Sequence, residues 1–281
     1  MKTFSKRPAQ DERLASRPCA VCGVDSAAPY WDCGDFGFVR CRRCGHVYQN
    51  PQPLSDDLEL RYDYEYFQYE LDNAEQFYQL MHKGLQDLDF FAHEQLLRER
   101  GLFLDLGCAT GVLLQKMRRR GWRVQGVEIC EPAARYAMEH RSVPVHLGPV
   151  ESAPLAEGSC AVVHTSHVIE HVPDPRGFLQ RIHHLLCPGG LAVIVTPDRS
   201  GFQARLFGSR WRSAIADHLN LFSSGQLMRL MRELRFSVVR KRSWGGLAAG
   251  SALQPLKRPA DRLAKAFNIG DVCAILVRKP A

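Results

Sequence analysis

The stretch LDLGCATG, residues 104–111, constrains the fold more than any other part of the sequence. An apolar run that starts at Leu102 ends at a loop with a glycine at each end, Gly107 and Gly111, and a helical segment follows. A buried strand therefore passes into a helix through a short turn. Glycine lets a ligand approach the backbone closely, and the free N–H groups of a helix N-terminus attract anionic groups. The loop is predicted to hold a ligand.

The chain after Gly101 alternates between short apolar runs and helical segments. The predicted strands are 102–106, 123–127, 161–165 and 191–196, and the predicted helices lie near 112–120, 132–141 and 175–186. This alternation predicts an α/β fold, with a doubly wound, Rossmann-like, mostly parallel sheet and helices on both faces. Ligands of such sheets bind at the carboxyl ends of the strands, where the glycine loop lies.

The second strand indicates which ligand the loop holds. Glu128 ends that strand 21 residues after Gly107, where an acidic side chain suits the two hydroxyls of a ribose. The loop has Ala109 and no G-x-G-x-x-G pattern, which argues against a pyrophosphate and hence against a nicotinamide or flavin cofactor. Asp105 would repel a pyrophosphate but could help to hold an ammonium group. S-adenosylmethionine, which joins adenosine to an amino acid, fits these residues best.

At this point the sequence resembles a known family. LFLDLGCATGVLL is similar to the first motif of class I S-adenosylmethionine-dependent methyltransferases, usually D-x-G-x-G-x-G, with Ala109 where glycine is commoner. The resemblance continues in VQGVEICE (124–131), VVHTSHVIEHVPDP (162–175) and HHLLCPGGLAVIVTPD (183–198). It implies a sheet of seven strands that ends in an antiparallel hairpin made by FSVVRKRSW and VCAILVRK.

The resemblance also implies a set of cofactor-binding residues. Gly107 and the nearby backbone would hold the methionine part, Glu128 the ribose, and the residues after the third strand, Val150 and Glu151, the adenine. The full set is Asp105, Gly107, Cys108, Ala109, Gly111, Glu128, Ile129, Val150, Glu151, Ser166 and His167.

Two histidines are candidates for a general base, which helps when the methyl acceptor is a hydroxyl or an amine. His171 follows the fourth strand, on the rim where an acceptor would enter. His218 follows residues 201–217, which resemble the substrate-covering insert of the family. Three interpretations stay open: either histidine is the base, no protein base is needed, or both histidines only cap loops.

Four cysteines predict a metal site near the N-terminus. CAVCG and CRRCGH place Cys19, Cys22, Cys41 and Cys44 in two C-x2-C pairs separated by eighteen residues. Each pair with its following glycine can form a tight knuckle, and two knuckles give tetrahedral Zn²⁺ coordination with no open position. We therefore expect a structural zinc ribbon; four reduced thiols without metal are the alternative.

The sequence predicts four regions. They are a disordered leader (1–17), the zinc ribbon (18–50), a helical, tyrosine-rich connection (51–100) and the S-adenosylmethionine-binding domain (101–281), with substrate-side inserts at 201–222 and 244–271. The tyrosines of the connection, from Tyr62 onward, pack against the main domain or line the substrate pocket.

Charge and hydropathy limit the partners. The net charge of +7 comes from 37 basic and 30 acidic residues, an excess that suits either a solvated surface or anionic partners. The chain shows no aromatic-and-basic motif typical of nucleic-acid binding, so that partner is not expected. The apolar runs are too short to span a membrane and no secretory signal is visible, so we expect a cytoplasmic protein. A basic amphipathic segment, PADRLAKAF (259–267), leaves peripheral membrane contact open; the oligomeric state is not indicated.

The leading interpretation is methyl transfer to a small-molecule or saccharide acceptor, including a lipid-linked one. The ribbon together with N-P-x-P (50–53), G-x-x-W (208–211) and DHLNLFS (217–223) resembles zinc-ribbon methyltransferases of sugar, polysaccharide or small-metabolite biosynthesis. The alternatives are a nucleic-acid or protein methyltransferase that docks through the ribbon, and a non-catalytic S-adenosylmethionine-binding scaffold protein.

Overall fold

The N-terminal region forms five short strands in the computed structural model, which describes residues 12–54, 61–98, 101–245 and 269–281. They are β1 (Leu14–Ala15), β2 (Ala27–Asp32), β3 (Gly37–Cys41), β4 (Val47–Gln49) and β5 (Gln52–Pro53). Strands β2, β3 and β4 form an antiparallel sheet, while β1 pairs with β5. Two loops of this region carry the cysteine pairs.

Residues 12–17 correct the expectation of a disordered leader. Leu14 and Ala15 pair antiparallel with Pro53 and Gln52. Glu12 accepts two hydrogen bonds from Arg61, at 2.9 and 2.7 Å. A two-residue strand is too short to show a period in the sequence, so only the distant partner reveals it. The rest of the predicted leader, 1–11, lies outside the described residues.

Two helices occupy the connection between the N-terminal region and the main sheet. They are α1 (Tyr64–Asp87) and α2 (Phe90–Arg98). Asp63 caps α1, because its carboxylate accepts from the backbone N–H groups of Glu65 and Tyr66. Residues 55–60 and 99–100 of the connection lie outside the described part of the chain.

The main sheet has seven strands among the described residues, which confirms the predicted fold class. In chain order they are β6 (Leu102–Leu106), β7 (Arg123–Glu128), β8 (Val145–Leu147), β9 (Cys160–Ser166), β10 (Leu186–Pro197), β12 (Ser237–Trp244) and β13 (Val272–Arg278), with β11 (Asn220–Leu221) outside this sheet. Their order in space is β12-β13-β10-β9-β6-β7-β8, and β13 runs antiparallel to both of its neighbours. The order of the strands reverses beside β6, so ligands are expected at its carboxyl end.

Four of the remaining helices flank this sheet, and a short fifth one packs beside the N-terminal strands. They are α3 (Val112–Arg119), α4 (Glu131–Arg141), α5 (Pro175–Leu185), α6 (Phe202–Phe207) and α7 (Ser224–Glu233). Alternation along β6 sends Leu104 and Leu106 into a core with α5 and α7, and sends Phe103 into a second core with α1, α2 and α3. Asp174 caps α5 and Pro175 is its first residue, as the sequence predicts.

The two predicted inserts both emerge near the carboxyl edge of the parallel strands. Insert 201–222 contains α6, a 3₁₀ turn at Gly208–Arg210 and β11. Strands β12 and β13 make the predicted antiparallel hairpin, and the chain between them leaves after Trp244 and returns at Val272, opposite Pro197 at the end of β10. Residues 246–268, including the amphipathic segment 259–267, lie outside the described residues.

Candidate cofactor and acceptor site

The glycines of the 107–111 loop are required by backbone conformation and close packing. Gly107 has a φ of +71°, and a side chain there would overlap Val168 from the loop after β9. Gly111 has a φ of +74°, and a Cβ would lie 2.8 Å from that of Ala137 on α4. Ala109 adopts a left-handed φ of +46°, where a glycine would be unstrained. The family's usual glycine at this position therefore has a conformational reason.

Most N–H groups of this loop are already bonded within the protein. Gly107 and Cys108 both donate to the Val127 carbonyl, at 2.9 and 3.2 Å, and Ala109 donates to Glu128. The first turn of α3 has no intrahelical acceptors for its N–H groups, and its N-cap, Gly111, has no side chain to supply one. The donors that a methionine carboxylate could use therefore belong to the start of α3 more than to Gly107.

Glu128, at the end of β7, accepts three backbone hydrogen bonds on the predicted cofactor side. Its Oε2 accepts from the Ala109 N–H at 2.7 Å, and its Oε1 accepts from the N–H groups of Ile129 and Cys130, both at 2.9 Å. Burial raises the pKa of this carboxyl, and the three N–H donors oppose that rise. Since each carboxylate oxygen has two lone pairs, one lone pair of Oε2 is left for a ribose hydroxyl.

Asp105 lies one residue before the end of β6, directly ahead of the glycine loop. It is 3% exposed, and its Oδ1 bonds to Nδ1 of His164 at 2.7 Å, on the neighbouring strand β9. Burial raises the pKa of Asp105, while His164 opposes the rise. One oxygen of the carboxylate is thus bonded to His164, and the role of Asp105 toward an ammonium group stays a prediction. The alternation of β6 turns Asp105 to the same face as Phe103.

The other predicted cofactor residues divide by exposure. Cys108 is buried under the loop, where its Sγ would lie 2.5 Å from a Cβ at Gly126, so its side chain packs and does not face a ligand. Val150 is buried in the core, whereas Glu151 is exposed. Ile129 and Ser166 are half-buried.

His167, the last of these residues, sits at the start of the loop after β9. It has a left-handed φ of +57°, an uncommon conformation for a residue with a side chain, and its imidazole is about half exposed. Its Nδ1 donates to Glu170 Oε1 at 3.0 Å. The strained backbone thus places one imidazole between the cofactor side and a buried carboxylate.

Helix α1 brings acidic and aromatic side chains to this region. Tyr62 and Tyr66 pack with Phe67 and Tyr136 against Cys130, next to Glu128. Burial, followed by the charge of Glu128, raises the pKa of Glu70 to about 7. Glu70 could not be singled out from the sequence, because a single glutamate on a polar helix is ordinary.

The two candidate bases, His171 and His218, lie side by side. Their rings are 4.8 Å apart between centroids and nearly perpendicular, and Glu170 lies with them: one ligand atom from each of the three residues falls within 4.8 Å of the others. His171 Nδ1 donates to the Asp217 carbonyl and His218 Nδ1 to the Ser213 carbonyl, each at 2.8 Å. A carbonyl only accepts, so Nδ1 carries a proton in each ring, and in the neutral form of either ring Nε2 carries the lone pair. We call Glu170, His171 and His218 the acceptor cluster.

Burial and the neighbouring groups together determine the charges of Glu170 and His218. Burial, and then His171, lower the pKa of His218 to about 3, so its ring is neutral. Burial alone would raise the pKa of Glu170, but the hydrogen bond from His167 and the neighbouring imidazoles lower it to about 2. Glu170 also accepts from the Thr196 hydroxyl at 2.9 Å. The cluster therefore contains an ionised, buried carboxylate and the neutral imidazole of His218, with the imidazole of His171 beside them.

Distant segments hold this cluster in place. Arg61 donates to the Ala216 carbonyl at 3.0 Å and to the Asp217 carboxylate at 2.8 Å, which fixes the backbone that His171 bonds. The N–H of Asn220 donates to the Glu170 carbonyl at 2.9 Å. Sequence reasoning could not find these contacts, because the residues that make them are far apart in the chain.

The four predicted ligand cysteines come together. Their sulfur atoms lie within 4.8 Å of one another, with Cys19 to Cys44 at 3.5 Å and Cys22 to Cys41 at 3.6 Å, and none forms a disulfide. Sulfurs on a tetrahedral zinc ion, bonded at about 2.3 Å, are about 3.8 Å apart. Burial alone would raise the pKa of Cys41, but the N–H groups of Cys44 and Arg43 help to lower it to about 7. The donor set and its spacing fit a closed zinc site.

The cysteine region contacts the segment just after His218, which helps to hold the acceptor cluster. Strand β11 pairs antiparallel with β4, so the chain just after His218 extends the N-terminal sheet. His46, a residue without a clear role in the sequence, is buried and bonds Asn220 Oδ1 through Nε2 at 2.9 Å. Gln226, in the first turn of α7, donates its side-chain amide to the Cys44 carbonyl at 3.3 Å.

Among the described residues, no helix combines the length and apolar character that crossing a membrane requires.

Comparison with solved structures supports the fold. A methyltransferase from Thermotoga maritima, described as S-adenosylmethionine-dependent, aligns over 76% of this chain and 98% of its own, with a TM-score of 0.54 and 24% identity. A second one, from Archaeoglobus fulgidus, aligns over 76% and 99%, with a TM-score of 0.53 and 19% identity. Both share the fold at low identity.

Sequence relatives point the same way. The ubiquinone biosynthesis O-methyltransferases of Ruegeria pomeroyi and Pseudomonas aeruginosa are 36% and 33% identical over 102 and 103 residues. The match covers 34% of this chain and 41–44% of those proteins. A family model described as a methyltransferase domain matches residues 73–241, more than half of the chain. The chain therefore belongs to the methyltransferase domain family, with the Rossmann-like fold of class I S-adenosylmethionine-dependent methyltransferases.

Proposed function

We propose that this chain transfers a methyl group from S-adenosylmethionine to a hydroxyl group of a small molecule. The observation that carries the proposal is the acceptor cluster: two imidazoles and a carboxylate lie close together at the loop that follows β9. The relatives named as O-methyltransferases support an oxygen acceptor. When bound, the cofactor supplies an activated methyl group, so the protein has mainly to align the reactants and exclude water.

The chain's own residues divide these tasks. Glu128 would hold a ribose hydroxyl, the first turn of α3 would hold the methionine carboxylate, and Val150 and Glu151 stay the predicted adenine neighbours. Ser166 and His167 lie where β9 ends, between the cofactor side and the acceptor cluster. We propose that the acceptor cluster receives the hydroxyl. His171 can take up its proton on Nε2, which is the general-base role predicted for either histidine, whereas the lowered pKa of His218 makes that ring the weaker base and suits it to accept a hydrogen bond from the hydroxyl.

We further propose that the four cysteines bind Zn²⁺ and that this ribbon positions the acceptor side. The support is the pairing of β4 with β11, because β11 begins at Asn220, two residues after His218. Because all four ligands are thiolates, the zinc has no open position and takes no part in the chemistry. The proposed class of acceptors includes saccharides and lipid-linked compounds. A cytoplasmic location stays part of the proposal.

The test is an acceptor screen with methyl-labelled cofactor. Purified protein is incubated with polyhydroxylated aromatic compounds, saccharides and amines, and products are identified by mass spectrometry. We expect label on the oxygen of at least one hydroxyl compound, and its loss in His218→Gln but not in His184→Gln, an exposed histidine of α5. Label on nitrogen alone, or no label on any acceptor despite tight binding of S-adenosylhomocysteine, would overturn the proposal.

A further inference from the structure

The acceptor cluster has the donor chemistry of a second metal site. Both imidazoles direct Nδ1–H to a backbone carbonyl, at 2.8 Å in each case. This leaves two Nε2 lone pairs that converge with the Glu170 carboxylate, and none of these atoms can donate a hydrogen bond to another. Three acceptors this close together are satisfied by a donor such as water, or by a cation that all three can bind.

The supporting contacts match those of known metal ligands. A histidine that binds a metal usually donates its other ring N–H to a carbonyl or carboxylate, which fixes the tautomer and the ring orientation. Here the carbonyls of Asp217 and Ser213 do this. Glu170 is held by His167 Nδ1 at 3.0 Å and by the Thr196 hydroxyl at 2.9 Å, so each carboxylate oxygen keeps a lone pair.

The spacing also allows one ion to reach all three residues. The ligand atoms lie within 4.8 Å of one another. On a tetrahedral zinc ion with bonds of about 2.0–2.1 Å, the ligand atoms are about 3.3 Å apart, so the approach needs only small side-chain rotations. Two imidazoles and one carboxylate favour a first-row transition ion over Mg²⁺, which prefers oxygen ligands. With three protein ligands, a fourth position stays open.

We propose that Glu170, His171 and His218 bind a divalent first-row transition-metal ion, with Zn²⁺ as the natural candidate, in a site with one position open to an acceptor oxygen. The role of holding an acceptor oxygen rests on the proposed function, whereas the binding of the ion does not. With the ion bound, both histidines are ligands and the general-base role predicted for them falls away.

The test is the metal content of untagged, full-length protein after dialysis against buffered micromolar Zn²⁺, with binding of S-adenosylhomocysteine measured on the same samples. We expect about two zinc ions per chain, one at the four cysteines and one at the acceptor cluster. Glu170→Gln and His218→Gln should each lose one ion. The matched control His184→Gln should keep both, and Cys41→Ser should lose only the ribbon ion.

Cobalt gives an independent measurement on the unaltered protein. When Co²⁺ is added to protein that already holds ribbon zinc, we expect visible bands of nitrogen and oxygen coordination without the intense near-ultraviolet bands of thiolate ligation. About one zinc ion per chain and no cobalt bands, in protein that binds S-adenosylhomocysteine, would overturn the metal proposal and leave the proposed function standing. A folded Glu170→Gln or His218→Gln variant that keeps the second ion would also overturn it. Absence of S-adenosylhomocysteine binding would count against the proposed function instead, whatever the metal content.

Discussion

Substituting Glu128 by glutamine tests the cofactor side most directly. The carboxylate accepts three backbone N–H groups, one on Oε2 and two on Oε1. Glutamine has the same shape but only one acceptor atom, so its NH₂ group must face at least one backbone N–H. One or two hydrogen bonds to a charged group are lost, each worth roughly 1.5–3 kcal/mol. We expect Glu128→Gln to lower the free energy of unfolding by about 2–4 kcal/mol.

The same variant should also bind the cofactor less tightly. If the free lone pair of Oε2 holds a ribose hydroxyl, its loss weakens binding by about ten- to a hundredfold. Urea unfolding gives the stability, and calorimetry with S-adenosylhomocysteine gives the affinity. Glu131→Gln, an exposed glutamate three residues away on α4, is the matched control and should change neither quantity. An unfolding free energy within 0.5 kcal/mol of the unaltered protein, with an unchanged dissociation constant, would refute this account of Glu128.

Three further substitutions test other parts of the structure. Gly107→Ala should destabilise the protein by about 2–4 kcal/mol, because it puts an alanine in a left-handed conformation and makes it overlap with Val168. Ala109→Gly should change the free energy of unfolding by less than about 1 kcal/mol. Equal losses of stability for the two variants in thermal unfolding would contradict this loop geometry. In the folded protein the pKa of Glu70 is raised from 4.5 to about 7, so between these pH values the folded chain keeps a proton that the unfolded chain loses. The free energy of unfolding should therefore fall by up to about 3 kcal/mol as the pH rises from 4.5 to 7. Glu70→Gln should remove that fall, and a pH profile of urea unfolding parallel to that of the unaltered protein would show that Glu70 ionises normally. Cys41→Ser should lose the ribbon metal and most acceptor-dependent turnover while affinity for S-adenosylhomocysteine changes less than about threefold; a large loss of cofactor affinity would show that the ribbon supports both sides.

The fold was predictable because each strand–helix unit carries its own local signal. The apolar run before Gly107 and the cap at Asp174–Pro175 each mark an element within a few residues. The cysteine spacing likewise brought together four residues that lie close in the structure. In these cases the information lies within a short window of sequence.

The site was less predictable because its contacts join distant segments. The sequence named His171 and His218 as separate alternatives, and only the return of the chain to β11 shows that they form one cluster with Glu170. The bonding partner of Asp105 was not foreseen, because the motif shows where the residue stands along the strand but not which residue faces it on the next strand. His164, opposite it on β9, takes up the carboxylate. The two-residue strand β1 has no periodicity to detect.

The two halves of the site are supported by different parts of the chain. Glu128 and the 107–111 loop are held by bonds among β6, β7 and α3, all within about 25 residues of sequence. The acceptor cluster depends on Arg61, Asn220 and, through Asn220, on His46 next to the cysteine pair. Unfolding of the ribbon is therefore expected to disturb the acceptor cluster, through the pairing of β4 with β11 and the buried hydrogen bond between His46 and Asn220. The cofactor loop keeps its own contacts. If the four cysteines bind zinc as proposed, the metal stabilises a region that supports the half of the site that the central sheet does not build.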